Sequence, residues 1–152
     1  MIQNVGGILN IWAFQPSQIA ISMLPDVPGG CNVAISNVSM DDALIRCTDQ
    51  SIDAVSKYSD DDNGGLWKLS VDATVGGINL SHRKTLDLIR RKCVLVLQNT
   101  NNDFFVFGSP DSPLSPIEID RVNPPAIANN TKYQFSLAGF AVVEPPIIQH
   151  FL

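Results

Sequence analysis

The stretch from Asn79 to Pro116 constrains the fold more than any other part of the chain. A basic amphipathic segment over 79–92 runs directly into an apolar run over 93–97; a polar turn, a second apolar run over 104–107 and Gly108-Ser109-Pro110 follow. Leu86, Ile89 and Cys93 fall at i, i+3 and i+7 with Leu88 beside them, while Arg83, Lys84, Arg90 and Arg91 face elsewhere, which is the spacing of one apolar helix stripe. Asn79 or Ser81 can cap the start by accepting an orphaned backbone N–H. Arg90, Arg91 and Lys92 suit the negative end of the helix dipole. The pattern predicts one flanking helix over about residues 80–92, delivering the chain into a buried hairpin. Residues 93–97 are apolar at every position, as in a strand covered on both faces, with sheet on one side and this helix on the other.

The rest of the chain reads as strands and turns. Ile19, Ile21 and Met23 alternate with Ala20 and Ser22, and Cys31, Val33 and Ile35 alternate with Asn32, Ala34 and Ser36. Such period-two alternation places one set of side chains in a core and the other in water. Between these strands Pro25-Asp26-Val27-Pro28-Gly29-Gly30 is a turn, because proline fixes φ and glycine supplies positive φ. Weaker strands are expected over 43–48 and 52–58. The clearest strand is 66–75, with Trp67, Leu69, Val71, Ala73 and Val75 on one face and Lys68, Ser70, Asp72 and Thr74 on the other. Residues 100–103 form a hairpin turn, and 108–116 an extended loop with three prolines. Further strands are expected over 117–121 and 133–137, after which Gly139 permits a bend before 140–143. About nine strands and one helix predict an all-β fold, an antiparallel β-sandwich or partly closed barrel, spanning 1–144. Trp67, Leu69, Val71, Val94, Val96, Tyr133, Phe135 and Leu137 are expected in one shared core. Residues 145–152 remain as an apolar C-terminal tail.

Composition narrows the function. The 152 residues, 45% of them apolar, suffice for one ordinary core without a disulfide or metal. A net charge of −5 argues against a nucleic-acid coat protein. Cys31, Cys47 and Cys93 lie far apart in apolar runs, where cysteine acts as a small hydrophobe. The start of the chain has neither the basic residues nor the apolar stretch of a signal peptide, so synthesis in a cytoplasm and no membrane partner are expected.

Chemical motifs fail on inspection. Setting Asp60 and Asp62 as the first ligands of a calcium loop puts Gly64 third and Val71 where a closing glutamate belongs, so 60–65 reads as a solvated turn. His82 and His150 have no patterned nucleophile beside them. Gly108-Ser109-Pro110 lacks the second glycine of a nucleophile elbow. No catalytic residue, metal site or cofactor is expected. Five of the ten basic residues, Arg83, Lys84, Arg90, Arg91 and Lys92, lie within ten positions. They can be a solvated helix face, a protein-facing patch or a phosphate-binding face, although no aromatic interleaves them for base stacking.

Several stretches resemble small tail-module proteins of tailed bacteriophages and prophages of gut Bacteroides-type hosts. They are Asn4-Val5-Gly6-Gly7-Ile8, the strand from Gly64-Gly65-Leu66-Trp67 to Val71, the helix running into Arg91-Lys92-Cys93-Val94-Leu95-Val96-Leu97, Phe107-Gly108-Ser109-Pro110 to Leu114, and Tyr133-Gln134-Phe135 to Gly139. The segment 25–58 stands outside that pattern. The resemblance is to a tail-tube-like family, and it implies a β-sandwich flanked by one helix and subunits that form rings which stack. It also implies a virion location, contact with other virion proteins, and passage of DNA without specific binding.

On this reading the chain is a non-enzymatic virion structural protein, a tail-tube-like or head-to-tail connecting ring subunit. Expected subunit contacts are the acidic Asp60, Asp61 and Asp62, the basic Arg83, Lys84, Arg90 and Arg91, and the tail residues Ile147, Ile148, Phe151 and Leu152. The alternative is a carbohydrate- or receptor-binding β-sandwich with its site on end loops, which requires Trp12 and Trp67 to be exposed, whereas Trp67 is expected to be buried.

Overall fold

Two sheets divide the apolar runs between them. The computed structural model describes residues 8–45, 52–61, 64–76, 87–122 and 132–151. These form eleven strands: β1 Ile8–Phe14, β2 Ile19–Met23, β3 Gly30–Ile35, β4 Leu44–Ile45, β5 Asp53–Asp61, β6 Gly64–Gly76, β7 Val94–Asn99, β8 Phe104–Phe107, β9 Ser115–Val122, β10 Lys132–Ala141 and β11 Ile147–Phe151. A short helix, α1, spans Met40–Ala43, and a single 3-10 turn spans Pro16–Gln18. The fold is an all-β sandwich of a seven-stranded sheet, ordered β2-β3-β11-β8-β7-β1-β4, and a four-stranded sheet, ordered β5-β6-β10-β9. Every pairing is antiparallel except β11 with β3.

The core between the sheets follows from strand alternation. Leu69, Val71, Ala73 and Val75 of β6 and Phe135 and Leu137 of β10 meet Ile11, Leu95, Leu97 and Phe107 of the larger sheet. Val94 and Val96 point the other way, into a second core with Phe14, Cys31, Val33 and Val106. Residues 94–97 are thus fully buried on both faces, as their unbroken apolar run requires. Leu69, Val71, Val94, Val96, Phe135 and Leu137 are buried as expected, but in two cores. Trp67 is only partly buried, packed on the inter-sheet core and against Tyr58; the side chain of Tyr133 lies outside the described residues.

The cover on the outer face of β7 differs from expectation. Helical backbone is present at 87–89 and bends at Arg90 and Arg91, so the helix does not continue to residue 92; positions 80–86 lie outside the described residues. Ile89 enters the inter-sheet core with Leu88 beside it. The second core is instead capped by Val38, Met40 and Ala43 on and around α1. Ser39 starts that helix, its Oγ accepting the Asp42 N–H at 3.2 Å. Asp41 and Asp42 sit in its first turn, where the dipole favours anions.

Three further segments depart from the sequence reading. β1 falls in an apolar stretch with weak alternation, Ile8-Leu9-Asn10-Ile11-Trp12-Ala13-Phe14, because its second half sends side chains into both cores, as its partner β7 does, while Leu9 stays exposed. β10 runs through Gly139 without bending, and the glycine serves close packing: a Cβ there would lie 2.7 Å from Leu114 Cδ2. Residues 147–151 are no appendage. They form β11, between β3 and β8, with Ile148 paired to Cys31 and Ile147 to Phe105. This strand therefore pairs within its own chain and buries Ile148 there.

Turns match their residue chemistry. Gly29 has φ +77°, and the Gly30 N–H donates to the Val27 carbonyl at 2.9 Å, closing the β2–β3 turn. At the β7–β8 hairpin Asn99 is buried, and its Oδ1 accepts the N–H groups of Asn101 at 2.9 Å and Asp103 at 3.0 Å. Asn102 takes φ +65° there, a conformation asparagine tolerates better than most residues.

Candidate functional site

The residues expected at subunit contacts are scattered. Asp60 is exposed on β5 opposite Gly65, and Asp61 pairs with Gly64 at the end of the hairpin. Asp62, Arg83, Lys84 and Leu152 lie outside the described residues. Arg90 and Arg91 are exposed, and Arg90 is 3.7 Å from Asp87 in an i,i+3 ion pair that partly satisfies it locally. Such exposed pairs contribute little to stability. Among the described residues no ion pair joins the acidic hairpin to the basic bend. Ile148 is buried, whereas Ile147 and Phe151 keep 39% and 41% of their surface exposed.

A concave apolar surface lies elsewhere. A cleft of about 700 Å³ opens between β2 of the larger sheet and the ends of β6 and β10 in the smaller one. Ile21 and Met23 line one side, Leu66, Phe140, Val142 and Val143 the other, and the turn 108–112 lies at its end. That turn is rigid. The Ser109 and Ser112 N–H groups each donate to the other residue's carbonyl at 3.1 Å, and Ser112 Oγ donates to the Phe140 carbonyl at 2.9 Å. Five apolar side chains around the cleft stay open to solvent: Met23 by 49%, Leu66 by 38%, Phe140 by 54%, Val142 by 80% and Val143 by 54%. Scattered apolar residues are ordinary on a surface, but a gathered patch marks a contact. Asp111 is the single ionisable residue in its lining.

A second cleft of about 400 Å³ has Leu97 and Phe107 in its lining with Asp103 and Glu144 beside them, and no histidine or cysteine. Among the described residues no group of histidine, cysteine, aspartate or glutamate could hold a metal ion. Cys31 and Cys93 are free and buried, and burial pushes their thiols up to about 11 and about 12, so neither is a thiolate near neutrality. His150 is exposed on β11, and His82 lies outside the described residues.

The sequence reading missed the cleft. Its two sides come from segments far apart in the chain, and only the pairing of β10 with β6 brings Phe140 beside Lys68 and the end of β6. The one local signal was the absence of any charge in Ile19–Met23 and in 140–143. Comparison with protein-family models, curated proteins and solved structures finds no match. Among the described residues no helix is long and apolar enough to cross a membrane.

Proposed function

We propose that this chain is a non-enzymatic, self-assembling structural subunit of a phage virion, of the tail-tube-like or head-to-tail connecting ring kind. The observation that carries the reading is the exposed apolar patch around the β2 cleft, where Phe140, Val142 and Val143 would be costly to leave in water on a lone domain. The resemblance to phage tail modules supplies the virion, and the β-sandwich is compatible with it. Contact with other virion proteins and passage of DNA past an acidic surface belong to the same reading. Negative-stain microscopy of the purified protein tests it: rings or tubes are expected, and dispersed monomers would overturn it. A glycan-binding reading draws on one observation, the Tyr58 and Trp67 rings 5.4 Å apart with Tyr58 53% exposed. Glycan binding by monomers, lost on Tyr58→Ala, would favour it instead.

A further inference from the structure

Four strands end the two sheets, and three are protected against pairing with another chain. β4 is two residues long. β5 carries Asp53, Lys57, Asp60 and Asp61. β9 carries Pro116, Glu118, Asp120 and Arg121, and its register shifts near Pro116. Charge, proline and irregular register are the usual devices that keep an edge strand single. β2 has none of them. Its five residues, Ile-Ala-Ile-Ser-Met, include no charge and no proline, and among the described residues β3 is its one strand partner. The backbone hydrogen bonds made outside the strand ladders among the described residues involve none of 19–23. The open edge also lies against the apolar cleft, whose lining takes in both Ala20 and Ile21, side chains of opposite faces of the strand.

From this juxtaposition we infer that β2 is a strand-addition site for the β2 of a second copy, the two strands pairing antiparallel across a twofold axis through Ile21. This register is self-complementary. Ile21 meets its own mate, Ile19 faces the partner's Met23, and Ala20 faces the partner's Ser22, so apolar side chains fall on one face, small ones on the other, and no like charges oppose. An antiparallel self-pairing of β5 would instead crowd acidic residues together. Each partner strand seats beside Leu66, Phe140, Val142 and Val143, covering the side chains that the lone subunit leaves wet. Those side chains and the paired strand edges form one continuous apolar contact on each copy, to be compared with the roughly 800 Å² per partner of a stable interface. The join would make one continuous sheet across two subunits. It deepens the assembly reading, but it needs no ring and stands as a separate contact.

Ala20 and Ser22 are both exposed, so charges there test the register with little effect on the fold. In the A20E/S22E variant, glutamates oppose glutamates across the axis twice. In A20K/S22E each lysine opposes a glutamate. Light scattering coupled to size exclusion, with circular dichroism to confirm folding, should find the first variant at least tenfold weaker in dimerisation than the parent. The second should restore the dimer and loosen as salt rises. Failure of A20E/S22E to change the assembled mass, or failure of A20K/S22E to rescue it, would overturn the β2 contact. Rings whose mass is the same in A20E/S22E as in the parent would overturn the contact and leave the proposed function standing. A parent dimer lost in A20E/S22E, with no rings seen for the parent, would support the contact and sink the ring.

Discussion

Single residues in this protein do mostly conformational and packing work, and Asn99 is the clearest case. One carboxamide oxygen ties down two N–H groups of the β7–β8 turn while the residue itself is buried. Asn99→Ala leaves both donors without that acceptor, and a loss of about 1–3 kcal/mol in urea unfolding is expected. Asn99→Asp, which keeps an acceptor, should lose less. The two buried thiols make a forecast about pH. Above the ordinary value of 9.0 the unfolded chain sheds its thiol protons, while the folded chain holds them to about 11 at Cys31 and about 12 at Cys93. The unfolded state then binds fewer protons, so stability is full below pH 9 and falls as pH rises through that window. Thermal melts across pH 8 to 12 should show the decline, and Cys93→Ala should flatten part of it. At neutral pH a thiol reagent should leave both cysteines unmodified until the protein unfolds.

At the scale of elements, the strength of the sequence signal tracked how many faces a strand buries. β6 has one face in the core and one in water, so Leu69, Val71, Ala73 and Val75 stood out by alternation, and all four are buried. Phe135→Ala in its partner β10 removes a ring that is 2% exposed and should cost about 3–5 kcal/mol by chemical denaturation. Trp67→Ala should fall at or below the low end, because the indole is only partly enclosed. β7 buries both faces and the second half of β1 sends side chains into both cores, so alternation is lost; β7 was legible from its continuous apolar run, and β1 was not. β11 was misread as a tail because nothing local announces which strands a segment will join. Its parallel partner, β3, lies more than a hundred residues upstream. Removing residues 147–151 takes a strand out of the interior of the larger sheet and uncovers Cys31 and Val33. The expected result is loss of the cooperative transition, measured by circular dichroism melts, and not merely loss of oligomers. A truncated chain that melts as sharply as the parent would contradict the packing role of β11.

For the whole molecule, charge placement bears on how subunits meet. Five basic residues cluster within 83–92 and three acidic ones at 60–62; Asp60, Arg90 and Arg91 are all exposed. If these patches join stacked rings, their attraction is screened over about 8 Å at physiological ionic strength, so stacks should loosen with salt before single rings do. Arg90→Glu with Arg91→Glu should stop tube growth and leave rings, by sedimentation and microscopy. Adding Asp61→Lys and Asp62→Lys should restore growth if the two patches are partners. No change on the first reversal would mean that both patches only face water.

The central position of β11 also sets an order of events during synthesis. The two flanks of the larger sheet, β2-β3 on one side and β8-β7-β1-β4 on the other, are bridged by a strand that is translated after all the others described here. Until it leaves the ribosome, the nascent chain can pair each flank separately but cannot join them. A chain stalled before residue 147 displays both open flanks of the larger sheet to its neighbours.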